Sequence, residues 1–244
     1  MYGIYARRFN AAGKALGGEF RVNTITMYDQ QYPAIAVDRS GNFLIVWESY
    51  GQDGSSTGIY TRRYNTQGQP FTSEVQVNKY TKSYQARPRV AVDPNGNFIV
   101  AWESDGQDGN SYGVYTCKLN NKGQISGSEF RVNKYTKSVQ DFPALVSDPA
   151  GNILISWTSY GQDSDNDGVF FRAFKTSDQP ISSDVQVNIY TRYTQMLPKI
   201  AADGLGNFVV VWQDGGQGGS GDGIYARVFT KYYTPGWKFS PVES

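Results

Sequence analysis

Apolar and polar positions along this chain recur in a register that never slips. The run NFIVAW at 97–102 returns as NFLIVW at 42–47, NILISW at 152–157 and NFVVVW at 207–212, so that Trp47, Trp102, Trp157 and Trp212 stand 55 residues apart. Asn23, Asn78, Asn133 and Asn188 keep the same interval. Within one unit the pattern predicts four short strands, at 88–93, 97–104, 114–120 and 129–133, separated by the turn-forming stretches PNG, DGQDGNSYG and NKGQ. The second strand is continuously apolar, which in an antiparallel hairpin requires cover on both faces. The third strand is mixed and the fourth alternates, as expected further from a core. Four-stranded sheets arranged radially and packed face to face produce that gradient, with a longer connection from the outer edge of one sheet to the inner edge of the next. The pattern therefore predicts an all-β fold, a β-propeller of four-stranded blades.

The chain reads as a single repeat domain over 1–244, with units at 33–78, 88–133, 143–188 and 198–244, the last including a C-terminal tail. Strands one and two occur four times, whereas strand three occurs five times, opening at Ile4, Ile59, Val114, Val169 and Ile224. Residues 3–23 are thus an extra N-terminal half-blade. One reading is a four-bladed ring in which 19–23 completes the last blade, unless 237–243 supplies its outer strand. The others are an intermolecular strand, an incomplete fifth blade, or a segment of a longer array.

Composition narrows the chemistry. The charge is +1, from 23 basic and 22 acidic residues mixed along the chain, which gives no electrostatic reason to expect nucleic acid or an anionic membrane as a partner. No apolar run approaches the roughly 18 residues of a membrane-spanning helix, and no signal peptide is visible. Histidine is absent and Cys117 is the only cysteine, which closes Ser-His and Cys-His nucleophile pairs and His-bearing metal sites. Carboxylate pairs and oxygen-ligated calcium stay open.

Three groups of residues are candidates for binding. Glu48 and Glu103 follow their tryptophans directly, so an acid beside an indole (Trp47, Trp102, Trp157, Trp212) could hold sugar hydroxyls while an aromatic face stacks on the ring. Alternatively the indoles wedge between blades, and the acids pair with the recurrent Arg7, Arg62, Arg172 and Arg227, a place taken by Cys117 in the second unit. Tyr80, Tyr135 and Tyr190 lie in long connections beside lysines or an arginine, a combination that suits glycan recognition and also an ordinary wet loop. In DSDNDG, Asp163, Asp165 and Asp167 alternate before Gly168 like the first half of a calcium loop, so Ca2+ is the cofactor to expect at 163–168. The later ligands of such a loop are missing, and an Asx turn closing the hairpin is the alternative.

The combination of VAVDPNGNFIVAWESDGQDG, GVYT, SEFRVN and the Gln-x-x-Pro before each unit (Gln30/Pro33, Gln85/Pro88, Gln140/Pro143, Gln195/Pro198) resembles the tandem repeats of large secreted or surface bacterial proteins. The resemblance covers the chain up to about Lys231 and implies an extracellular or cell-surface location, with glycans or a cell-surface polymer as partners. Propellers of near-identical blades are similar to lectins in architecture only. The four units differ mostly conservatively, whereas propeller enzymes usually give one blade its own catalytic residues. The expectation is therefore a non-catalytic module for multivalent carbohydrate binding, no enzyme, with a structural or adhesive protein that self-assembles through its spare half-blade as the alternative and a homo-oligomer as its corollary.

Overall fold

A computed structural model, which describes residues 1–219, 221–232 and 238–241, shows each unit as one antiparallel sheet. The half-blade is β1 (Tyr5–Ala6) paired with β2 (Phe20–Arg21). Blade 1 comprises β3 (Gln30–Val37), β4 (Phe43–Tyr50), β5 (Thr57–Tyr64) and β6 (Val75–Gln76). Blade 2 comprises β7 (Gln85–Val92), β8 (Phe98–Asp105), β9 (Tyr112–Leu119) and β10 (Phe130–Arg131). Blade 3 comprises β11 (Gln140–Ser147), β12 (Ile153–Tyr160), β13 (Asp167–Phe174) and β14 (Val185–Gln186), and blade 4 comprises β15 (Gln195–Ala202), β16 (Phe208–Asp214), β17 (Gly223–Tyr232) and β18 (Lys238–Pro241). Among the described residues there is no helix.

The inner strands β3, β7, β11 and β15 lie side by side in that order around an axis. At one end they converge on a hollow of about 280 Å³ lined by Val37, Val92, Ser147 and Ala202, one residue from each blade. Second strands are buried on both faces, as their continuous apolar runs require: β4, β8 and β12 are buried throughout except for their last residue. Each tryptophan packs against the preceding blade. Trp102 joins Leu44, Val46 and Ile59 of blade 1, Trp157 joins Ile99 and Ala101 of blade 2, and Trp212 joins Leu154 and Val169 of blade 3. The half-blade covers the equivalent face of blade 1, placing Ile4 and Val22 against Trp47.

Ring closure differs from the four-bladed expectation. Strand β2 pairs with β1 and not with blade 4, whose outer strand is β18, so the half-blade stands as a fifth position beside blade 1. Trp237, Val242 and Glu243 lie outside the described residues. Strand β16 alternates between buried and half-buried, and Ile224 is 77% exposed, because nothing among the described residues covers that face of blade 4.

Consecutive blades are joined by a buried amide pair. Asn133 Oδ1 accepts the Val114 N–H at 2.8 Å, and its Nδ2 donates to the Tyr135 carbonyl at 2.7 Å and to Gln140 Oε1 at 3.0 Å. Gln140 Nε2 then donates to the Lys137 carbonyl at 2.8 Å. The same set recurs at Asn23/Gln30, Asn78/Gln85 and Asn188/Gln195. A second tie runs backward: Arg62, Arg172 and Arg227 donate to the carbonyls of Val22, Val132 and Val187, each in the preceding unit. These arginines therefore hold main-chain carbonyls and do not pair with Glu48 or Glu103. Cys117 breaks the series; its thiol is buried, and burial pushes it up to about 11.

Removing the amide at Asn133 strands a buried N–H and a buried glutamine, so Asn133→Ala is expected to cost about 2–4 kcal/mol in urea unfolding. Cys117→Arg rebuilds the missing tie to Val77 and is expected to raise stability by about 1 kcal/mol in the same measurement.

Candidate active site

Each inner strand carries a bulge where Gln-x-x-Pro falls. Its register slips between Gln31 and Ala34, Ala86 and Arg89, Asp141 and Ala144, and Met196 and Lys199. At the bulge Tyr32, Arg87, Phe142 and Leu197 take φ of 50°, 51°, 50° and 57°, a left-handed conformation that costs an ordinary residue about 1 kcal/mol or more. Proline follows, and having no N–H it loses no ladder bond there. The displaced N–H groups point to the preceding blade: Arg87 N–H to Glu48, Phe142 N–H to Glu103 Oε2 at 3.1 Å and Leu197 N–H to Thr158 Oγ1 at 3.2 Å. Bulges of this kind re-aim side chains.

The re-aimed positions are where the units stop resembling one another. Between the glutamine and the proline stand Gln31-Tyr32, Ala86-Arg87, Asp141-Phe142 and Met196-Leu197. In blade 2, Arg87 Nη1 meets Glu103 Oε1 at 2.6 Å, and its guanidinium lies 4.2 Å from the centre of the Phe142 ring. Glu103 is only 2% exposed; burial raises its pKa, while Arg87 and the Phe142 N–H oppose the rise. Burial pushes Asp141 up to about 7, with Glu103 and Asp167 adding to the shift and Arg87 opposing it. Glu48 also reaches about 7 through burial, opposed by the Arg87 N–H and the charges of Arg87 and Arg89 and assisted by Glu103. A carboxyl that keeps its proton near neutrality has the protonation state that a general acid needs.

Exposed tyrosines surround this end of the axis. Antiparallel pairing of Gln30 with Ser49 and of Gln140 with Ser159 brings the start of each inner strand level with the end of the next. Tyr28, Tyr32, Tyr50, Tyr84, Tyr160 and Tyr193 all fall on that rim and are exposed, and Tyr28 and Tyr50 meet edge to face at 5.7 Å.

The residues expected from sequence are distributed otherwise. Trp47, Trp102 and Trp157 are completely buried and Trp212 is 6% exposed, so no indole face is open for stacking on a sugar, because the blades need these rings as wedges. Glu48 and Glu103 do come together near the axis, holding bulge N–H groups. Tyr80, Tyr135 and Tyr190 are half-buried, and Tyr135 donates to the Gly161 carbonyl at 3.4 Å, packing on the loop of the next blade. Asp163 accepts from Asn188 at 3.1 Å and Asp165 accepts the Tyr193 N–H at 3.1 Å. Asp163 also bears on Asp167, whose pKa is raised by burial and by that neighbouring charge, and among the described residues no three acidic, His or Cys side chains form a metal-holding group. Asp141 and Arg87 were missed, although the divergence of the two residues inside an otherwise constant Gln-x-x-Pro was legible.

No protein-family model matches the sequence, and no curated protein matches it. Solved structures do. A protein of unknown function from Dyadobacter fermentans DSM 18053 superposes with a TM-score of 0.61 at 10% identity, over 86% of this chain and 67% of that one. The α-L-arabinofuranosidase arb93a from Fusarium graminearum gives 0.54 at 15% identity, over 82% of this chain and 57% of that one. A thermostable family-43 glycoside hydrolase gives 0.52 at 8% identity, over 87% and 74%. At these identities the likeness is one of fold, and it establishes the propeller. It also corrects the expectation of a non-catalytic lectin-like or self-assembling module that is not an enzyme. Propellers of this shape include glycoside hydrolases, and the asymmetry held to be missing lies at the bulges, where mostly conservative exchanges elsewhere conceal it.

Asp141 and Glu48 have folded pKa values above their ordinary 3.8 and 4.5, so the folded chain keeps protons that the unfolded chain has released. The stability this contributes is complete below those ordinary values and is lost as pH rises through about 7. Unfolding free energies from urea titrations across that window are expected to decline more for the wild type than for Asp141→Asn, by on the order of 1–2 kcal/mol.

Proposed function

We propose that this chain is a polysaccharide-acting enzyme that hydrolyses glycosidic bonds at the tyrosine-rimmed end of its axis. The observation that carries this reading is Asp141, an acid found at this bulge position in blade 3 alone, in the field of the Arg87-held Glu103. In this reading Asp141 gives its proton to the glycosidic oxygen as the bond from that oxygen to the anomeric carbon breaks. Glu103 takes a proton from the water whose oxygen bonds to that carbon, so one water is consumed and two hydroxyl-bearing ends are released. Arg87 pairs with Glu103 and opposes the rise in pKa that burial causes there, and Glu48 positions Arg87 by holding its N–H. The rim tyrosines offer flat apolar faces with a polar tip, suited to sugar rings entering the axis. The solved hydrolases with this fold support the reaction class.

Incubation with arabinan, xylan and pectic polysaccharides, followed by reducing-end detection, tests the proposal. The wild type is expected to release ends from at least one of them. Asp141→Asn and Glu103→Gln should each lower kcat by about 10²–10⁴-fold. Activity should also fall as the pH rises past about 7, where Asp141 gives up its proton. No release from any polysaccharide, or full activity in Asp141→Asn, would overturn the reading.

A further inference from the structure

Two cations on the axis are left over by this chemistry. The residue after the inner-strand proline is Ala34, Arg89, Ala144 and Lys199 in successive blades, so a cation appears in blades 2 and 4 and alanine in the blades between. Arg89 pairs in register with Ala101 and Lys199 with Val211, the same repeat position, which sets both at one height along their strands. Strands β7 and β15 flank β11 on its two sides, and β11 carries no charge at this position.

Neither cation has an ion pair among the described residues. Arg89 Nη1 donates to the Pro88 carbonyl at 2.9 Å and Lys199 Nζ to the Pro198 carbonyl at 3.4 Å, each thus turning back on its own strand. Lys199 is exposed at the axis and Arg89 half-buried. The Arg89 charge bears on Lys199 and, with burial, lowers its pKa, which places the two in one field. Glu103 and Glu48 bear on Arg89, but both already accept other hydrogen bonds, Glu103 from Arg87 and the Phe142 N–H and Glu48 from the Arg87 N–H. Like charges placed together repel, and a ligand oxyanion relieves that repulsion while gaining charge-assisted hydrogen bonds.

We infer that Arg89 and Lys199, on inner strands around the axis, form an anion subsite, which takes an oxyanion carried by a sugar unit, a uronate carboxylate or a sulfate ester, next to the bond that is cut. This assignment rests on the hydrolytic reading for the neighbouring bond, and it gives the substrate class as an acidic polysaccharide. Guanidinium and ammonium both suit such oxygens, the former in a bidentate fork and the latter as a point charge.

Calorimetric titration with D-glucuronate, inorganic sulfate and D-glucose at low salt tests the subsite, alongside hydrolysis of an acidic and a neutral polysaccharide. Arg89→Ala, Lys199→Ala and the double variant are suitable because blades 1 and 3 already carry alanine there, and melting curves check that each is folded. Glucuronate is expected to bind and glucose not, with binding weakened at least about tenfold in the double variant and reduced by added salt. Asp141→Asn is expected to keep this binding. Equal binding of glucuronate and glucose, or undiminished glucuronate binding in the folded double variant, would overturn the subsite. Sulfate ion bound as tightly as glucuronate, with the double variant keeping the wild-type ratio of acidic to neutral hydrolysis, would make it a free-anion site and overturn the sugar assignment. Hydrolysis of the neutral chain alone, unchanged in the double variant, removes the subsite and leaves the hydrolytic reading standing. Glucuronate binding lost in the double variant of a protein that cuts neither polysaccharide supports the subsite and removes the hydrolytic reading.

Discussion

Everything in this molecule hangs on the buried amide pair between one blade and the next. A buried asparagine has one acceptor oxygen and two donor hydrogens to satisfy, and an unmet one costs as much as a lost hydrogen bond. Asn78 meets this demand with the Ile59 N–H, the Tyr80 carbonyl and Gln85 Oε1, while Gln85 ties the Lys82 carbonyl. Seven residues thus separate the two amides in every copy. An inserted residue would pull one amide off its partners in an interior without water to replace them. The same argument explains why the unit length does not vary.

With the blades locked at their crossings, variation is left to positions that face the axis. A left-handed residue followed by proline is tolerated because the preceding blade supplies an acceptor for the displaced N–H. Glu48, Glu103 and Thr158 fill that role in turn. The residue at the bulge can then change from Tyr32 to Arg87 to Phe142 to Leu197 without altering the frame. A fold shared with glycoside hydrolases says little by itself about chemistry. Here the unshared residues say more, because Asp141, Arg87, Arg89 and Lys199 all lie where the repeat gives way.

The half-blade shows how local pairing overrides an appeal to symmetry. Strand β2 follows β1 directly in the chain and closes on it, a shorter closure than one reaching across the ring to blade 4. Blade 1 consequently has both faces covered, while the outer face of blade 4 keeps Ile224 and Val228 in solvent. The alternation of β16 records the difference, since its apolar run NFVVVW is nearly the same as those of its buried counterparts.

The strands, turns and buried second strands were all legible in the sequence, because each depends on periodicity and local turn chemistry that neighbouring residues set among themselves, whereas the place of the half-blade in the ring was not. So was the structural use of asparagine and glutamine, at least as a constant spacing. The indoles were harder: a tryptophan ending a strand serves a ligand or a core equally well until the preceding blade is seen to cover it. The axial cluster belongs to the tertiary structure alone. Glu48 comes from blade 1, Arg87, Arg89 and Glu103 from blade 2, Asp141 from blade 3 and Lys199 from blade 4, and only ring curvature brings neighbours among them into one another's fields. Burial then sets which carboxyl keeps its proton, and burial is a property of the assembled blades and of no single segment.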